Sequence, residues 1–266
     1  MPKRPKSKVL RPVHPNAGLQ AWYRRRLLAL VDEMHDSYLY WLKAAYAANP
    51  PAIAQDELPS AALQRALKRL VKRWRKNFAT AADELAVYFM TKIEKRSRAT
   101  LMKILRDGGW TVELNITPAL RDVIRASVIE NVALIKSIPE QFHTQVEGLV
   151  MRSVTAGRDL APLTKALQKQ FGVTRRRAEL IARDQNNKAT AAITRARYVD
   201  LGLTEAIWLH SGGGKQKRPT HVANSGKRFD VVKGWFDPDP KVRRFIHPGE
   251  LINCRCVCRP VVKGFS

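Results

Sequence analysis

With 266 residues and 45% hydrophobic content, the chain is long enough to build one or two packed domains. Its 48 lysines and arginines against 23 aspartates and glutamates leave a formal charge of +25, which repels itself unless a polyanion or an acidic partner offsets it; nucleic acid is the first candidate. No apolar run is long enough to span a membrane and the first ten residues are charged, so neither a transmembrane helix nor a secretory leader is expected, no membrane partner is expected, and the protein is expected to stay in a cytosol.

Residues 1–16 carry Lys3, Arg4, Lys6, Lys8 and Arg11 among Pro2, Pro5, Pro12 and Pro15, with no acid. Such a composition buries little apolar area, and a disordered basic arm is expected. From 17 to 48, Leu19, Trp22, Leu27, Leu30, Val31, Met34, Tyr38, Trp41 and Leu42 recur at spacings of three and four, the period of an amphipathic helix that Asn49-Pro50-Pro51 ends. Arg24, Arg25 and Arg26 lie near its start. Ser60 is placed to cap a second helix running to Asp107, before Gly108-Gly109.

One face of that second helix holds Leu63, Leu67, Leu70, Val71, Trp74 and Phe78, and the opposite face holds Arg65, Lys68, Arg69, Lys72, Arg73 and Lys76. No acidic residue interrupts the stretch from Leu63 to Ala82. A charged helix face is commonly just a solvated one. With the three arginines and the basic arm, this one can also contact many phosphates and release their counterions. The expected partner is DNA bound nonspecifically, because no Asn, Gln and Arg pattern for base edges accompanies the cations.

Trp110, Val112, Leu114 and Ile116 alternate with polar residues, as a short strand or an extended linker would. Thr117-Pro118 opens a helix, with Thr as cap and Pro in the first turn. It is expected to end or kink near Ile138, because Pro139 lacks a backbone donor and restricts its neighbour. A further segment, 140–155, is closed by Gly157, and another, 160–171, by Gly172. Thr174 then opens the longest C-terminal helix, with Ala178, Ile181, Ala189, Ala192, Ile193, Ala196 and Val199 inward and Gly202 as C-cap.

After Gly202 the helical period gives way to glycine, proline and short apolar runs. Strands are expected at 206–209, 228–232, 245–246 and 256–262, forming a small antiparallel sheet with long loops on the preceding helix. The expected fold class is therefore α+β: long N-terminal helices followed by a helix-rich domain ending in a small antiparallel β-sheet. The expected boundaries are 1–16, 17–116 and 117–266.

The three cysteines, Cys254, Cys256 and Cys258, are no disulfide framework. On a strand their alternation would turn all three thiols to one face, where His221 or His247 could complete a zinc site. Packing of small cysteines in the core is the alternative, and the CxC spacing lacks the two-to-four-residue gap of zinc knuckles. His221, near Arg218, Lys227 and Arg228, has the ingredients of a metal-independent ribonuclease: a general base with cations for the phosphate. Equally it is a hydrogen-bonded loop histidine. No second acid or base is tied to it by spacing, so no catalytic residue is assigned.

Ser211-Gly212-Gly213-Gly214-Lys215 lacks the spacing of a phosphate loop, and a flexible hairpin tip presenting Lys215, Lys217 and Arg218 to phosphates is expected instead. Arg183 and Asp184 are adjacent on a helix and do not face each other. Arg183 is expected to anchor the sheet to the helix through loop carbonyls or an acidic side chain. The six tryptophans are expected to be core anchors.

The order of landmarks in the last third is distinctive. Arg177-Ala178-Glu179-Leu180-Ile181-Ala182-Arg183-Asp184-Gln185 leads to Trp208, Arg218-x-x-His221, Gly226-x-x-Phe229 and Asn253-Cys254-Arg255-Cys256, after Leu134-Ile135-Lys136-Ser137-Ile138-Pro139 and Ala156-Gly157-Arg158 upstream. Over roughly residues 120 to 262 this order resembles the phage Mu F-like head-morphogenesis family, the minor head proteins of tailed phages. The resemblance singles out Arg183, Asp184, His221, Gly226, Cys254, Arg255 and Cys256 as the structural motif, with Cys258 an addition. It implies no agreed active site, so the chain is expected not to be an enzyme and to need no cofactor unless Cys254, Cys256 and His221 hold zinc. What it implies is a low-copy head component that takes part in procapsid assembly, associates with the portal protein and other capsid components, contacts packaged DNA, and resides in host cytoplasm and then inside the virion. Two other functions compete: a ribonuclease or toxin-like effector built on the C-terminal sheet, and a general nucleic-acid-binding module.

Overall fold

The computed structural model describes residues 6–48, 59–156, 159–213 and 216–265. A strand, β1 (Lys6–Val9), precedes four long helices, α1 (Ala17–Ala48), α2 (Pro59–Gly108), α3 (Pro118–Thr155) and α4 (Leu160–Asp200). Then come β2 (Glu205–Leu209), the short α5 (Pro219–Ala223), β3 (Arg228–Asp230), β4 (Trp235–Asp237), β5 (Arg244–Ile246) and β6 (Val257–Phe265). The fold is α+β, as the sequence led us to expect. Among the described residues no helix is long and apolar enough to cross a membrane.

Two expected breaks are absent. α3 runs through Pro139, and its buried residues Ile135, Ile138, Phe142, Val146 and Val150 form one stripe on both sides of the proline. Burying that stripe outweighs the roughly 3 kcal/mol that an interior proline costs, and the Ser137 hydroxyl donates to the Leu134 carbonyl at 2.7 Å just before it. α4 likewise passes through Gly172, and the Thr174 hydroxyl donates to the Gln170 carbonyl at 3.0 Å, as a mid-helix threonine does, instead of capping a new helix. The ends fit the expected caps. Thr117 Oγ1 accepts the Leu120 N–H at 3.1 Å, and Gly202, at φ 70, closes α4 with its own N–H on Val199 O and that of Leu203 on Tyr198 O.

The basic arm is corrected too. Lys6–Val9 forms a strand antiparallel to β6 and Leu10 and Val13 are buried beyond it at 4% and 5% exposure, while residues 1–5 of the expected arm lie outside the described residues. Backbone pairing and two buried side chains offset the entropy that its charge and prolines alone could not. Residues 110–116 form no strand.

Contacts divide the chain into two units, one of Met1–Gln20, Tyr88–Val128 and Arg183–Ser266, the other of Ala21–Val87 and Ile129–Ala182. This differs from the boundaries at 17 and 117 because α2, α3 and α4 each contribute to both. In the helical unit the buried stripes include Tyr23, Leu27, Val31 and Tyr38 of α1, Leu63, Leu67, Leu70, Trp74 and Phe78 of α2, and Phe142 of α3. Tyr23 Oη donates to Asn131 Oδ1 at 3.0 Å, so a buried phenol keeps a partner.

The other unit contains a four-stranded sheet, order β1-β6-β2-β3, antiparallel throughout, and the separate β4-β5 pair. Leu101, Ile104 and Leu105 of α2 and Tyr198 of α4 pack with Ala206, Trp208, Phe229, Val231, Ile246, Cys254 and Cys256 in one core. Within it Arg197 and Glu94, nearly closed to solvent, pair at 2.5 Å.

Candidate functional site

The sheet unit gathers residues from four separate stretches around one imidazole. β2 alternates so that Ala206 and Trp208 face inward, both fully buried. Pro219, with its preset φ, starts the single turn of α5 and places His221 at 2% exposure. β4 supplies Asp237, fully buried, and the turn before β6 supplies Cys254 and Cys256, at 3% and 4%. His221 Nε2 lies 3.2 Å from Asp237 Oδ2, and its Nδ1 lies 3.6 Å from both Cys254 Sγ and Cys256 Sγ. Trp208 stands edge-on to the imidazole, the centroids 5.2 Å apart, and Phe229 and Trp235 border the same tryptophan.

Cys254 and Cys256 precede the strand, which starts at Val257, so the expected row of three thiols on one strand face is not what forms. Only the first two converge on His221. Cys258 stands apart on β6, opposite Trp208 of β2, and burial pushes its thiol up to about 12. His247 takes no part: its ring nitrogens face Arg195 Nη1 at 3.0 and 3.1 Å, and Nε2 also faces the Val231 carbonyl. The Cys254 thiol is held below its ordinary value, first by the hydrogen bond from the Cys256 thiol, then by His221 and the backbone N–H groups of Cys256 and Gly249; Cys256 moves the opposite way because it donates to Cys254 and is buried.

The turn carrying these cysteines is clamped from α4. Asp184 Oδ1 accepts the Asn253 N–H at 2.7 Å, and Arg183 Nη2 donates to Asn253 Oδ1 at 2.9 Å. Arg183 therefore anchors to an amide side chain, not to a loop carbonyl or an acid. Asn253 holds φ 61, a conformation in which asparagine is among the better-tolerated residues. Asn187 adds a bond to the Cys254 carbonyl at 3.3 Å. Gly249, at φ 82, comes so close to α4 that a Cβ there would sit 2.8 Å from that of Ala191. From the other side, Arg218 Nη2 donates to the Ile252 carbonyl at 2.9 Å, and the Gly226 N–H donates to Trp208 O at 2.8 Å. Arg255 lies on the outer side of the same turn, exposed.

The expected phosphate contacts sort unequally. Arg65, Lys68, Arg69, Lys72, Arg73 and Lys76 are all exposed along α2, as are Arg25 and Arg26 on α1. Arg24 is turned to Glu179, at 2.6 Å. Lys217 is exposed, Arg218 is turned inward as described, and Lys215 lies outside the described residues. Of the tryptophans, Trp74 and Trp208 are buried, Trp22, Trp110 and Trp235 are half-buried, and Trp41 is 48% exposed beside Arg69 and Arg73, so not every one is a core anchor. The sequence offered no sign of Asp237 or Gly249 as parts of the site, and singled out Asn253 only as the first residue of the Asn253-Cys254-Arg255-Cys256 landmark.

Residues 144–259 match the family model described as Phage Mu protein F like protein. That stretch contains every residue of the cluster and of its clamp, and the resemblance seen in the landmarks is borne out over it. A protein of Haemophilus influenzae described as an uncharacterized protein is 27% identical over 97% of this chain. The chain spans 56% of that relative's length. No solved structure matches the chain.

Proposed function

We propose that this chain, Mu F-like over residues 144–259, is a minor head protein of a tailed phage that takes part in procapsid assembly, associates with the portal and other capsid components, and contacts packaged DNA without reading its sequence. The observation that carries the proposal is the family match itself, because it falls on the segment that builds the cluster and the α4 clamp. The geometry there favours a scaffold over a turnover site. A general base must reach a substrate proton, whereas His221 is 2% exposed with both ring nitrogens facing protein groups. The exposed ridge cations Arg65, Lys68, Arg69, Lys72, Arg73 and Lys76 of α2 supply the DNA contact, which suits a protein enclosed with a dense polyanion.

Co-purification with the portal protein of the same phage, at moderate and at high salt, tests the reading. The portal is retained at both, because docking between packed surfaces is little screened, and co-purifying DNA is lost at high salt. Failure to retain the portal at moderate salt overturns the partnership. Multiple-turnover cleavage of RNA that a well-folded His221→Ala chain has lost overturns the scaffold role in favour of a nuclease.

A further inference from the structure

The geometry points to a transition-metal site, best matched to Zn2+, with His221, Cys254 and Cys256 as its protein ligands. The site is independent of the assignment to a phage head. Its three donor atoms lie within 4.8 Å of one another on buried residues. Tetrahedral zinc, with sulfur at about 2.3 Å and nitrogen at about 2.0–2.1 Å, sets each S···N edge at about 3.6 Å. Both S···N distances here are 3.6 Å.

The surroundings agree with the ligands. Asp237 Oδ2, 3.2 Å from Nε2, accepts the proton on that nitrogen and so turns the Nδ1 lone pair toward the two sulfurs. A carboxylate behind a histidine ligand fixes its tautomer and raises its basicity. Backbone N–H groups of Gly249 and Cys256 are directed at Cys254 Sγ, and that of Ser211 at Cys256 Sγ, so each sulfur has donors that suit a thiolate. The clamp from Asp184 and Arg183 sets the turn in which the pair sits.

Two thiolates and a neutral imidazole leave one tetrahedral position, which a water molecule fills, since no fourth His, Cys, Asp or Glu joins the group among the described residues. Binding sends two thiol protons to solvent and oxidises nothing. The ion ties α5, a five-residue turn too short to hold itself, to the segment entering β6. The same distances suit S–H···N hydrogen bonds, and the experiment separates the two.

The full-length chain is stripped with a chelator and titrated with Zn2+ and Co2+ against a chromophoric competitor. The expected result is about one ion per chain, thiolate-to-Co2+ charge-transfer absorption with the strong visible bands of a tetrahedral site, and protection of two of the three thiols from a disulfide reagent. Cys258→Ser keeps stoichiometry and spectrum. Asp237→Asn lowers affinity by about 10–100-fold. Occupancy far below one after reconstitution, a Co2+ spectrum without sulfur charge transfer, or equal loss in Cys258→Ser overturns the site. The wild-type titration and thiol protection decide the matter even where Cys254→Ser or Cys256→Ser fails to fold.

Discussion

Asp184 Oδ1 and Arg183 Nη2 converge on Asn253, the residue before Cys254, while Asp184 Oδ2 pairs with Lys188 at 3.2 Å. Asp184→Ala leaves the Asn253 amide without its acceptor and should cost about 1–3 kcal/mol, read from urea unfolding of the full chain; an unchanged midpoint contradicts the clamp. His143 gives a second residue-scale prediction. Burial lowers its imidazole to about 4, from 6.5. The unfolded chain therefore takes up the proton first, so stability is fully present above pH 6.5 and is lost as pH falls toward 4, by up to about 3 kcal/mol. His143→Gln should flatten that decline, and a wild-type and variant with parallel pH profiles would refute it. His221, Cys254, Cys256, Arg183 and Asp184 were legible in the sequence because they stand at recognisable separations. Asp237 was not: it lies in a Trp-Phe-Asp-Pro-Asp-Pro stretch that reads as a turn, and only the fold buries its carboxylate against His221. Asn253 matters through its φ, which no composition rule reveals.

At the scale of elements, the sequence's period identified the long helices, and its punctuation misplaced their breaks. Pro139 and Gly172 are helix breakers by local propensity, yet both sit inside helices whose buried faces continue past them. Gly172→Ala should stabilise the chain by about 0.5–1 kcal/mol, since a Cβ there meets only Arg176 Nη1 at an ordinary 3.5 Å. Gly249→Ala should do the reverse, by more than about 1–2 kcal/mol, because it combines φ 82 with a 2.8 Å approach to the Ala191 Cβ. Thermal melts of the two variants in opposite directions bear this out, and a shared direction contradicts it. β1 escaped the sequence for another reason: its pairing partner, β6, is at the far end of the chain, where no local pattern reveals it.

For the whole molecule, the charge of +25 is the property that local structure does least to absorb. Much of it lies on α2, where the ridge cations face solvent, although Arg75 of the same helix pairs with Glu140 at 2.6 Å. Replacing Lys68, Arg69, Lys72 and Arg73 with serine should lower the slope of log affinity against log salt by about 3–4 for duplex DNA, equally for unrelated sequences, in anisotropy titrations. An unchanged slope would place the DNA contact elsewhere. The interleaving of the two units was not visible in the sequence, because a helix that serves two cores keeps one uninterrupted period. Membership of a phage head is decided by quantitative mass spectrometry of purified heads from the phage that encodes this chain. The chain is expected there at low copy, shielded from protease until the heads are opened; heads of normal yield and shape that lack it would refute a role as a head component.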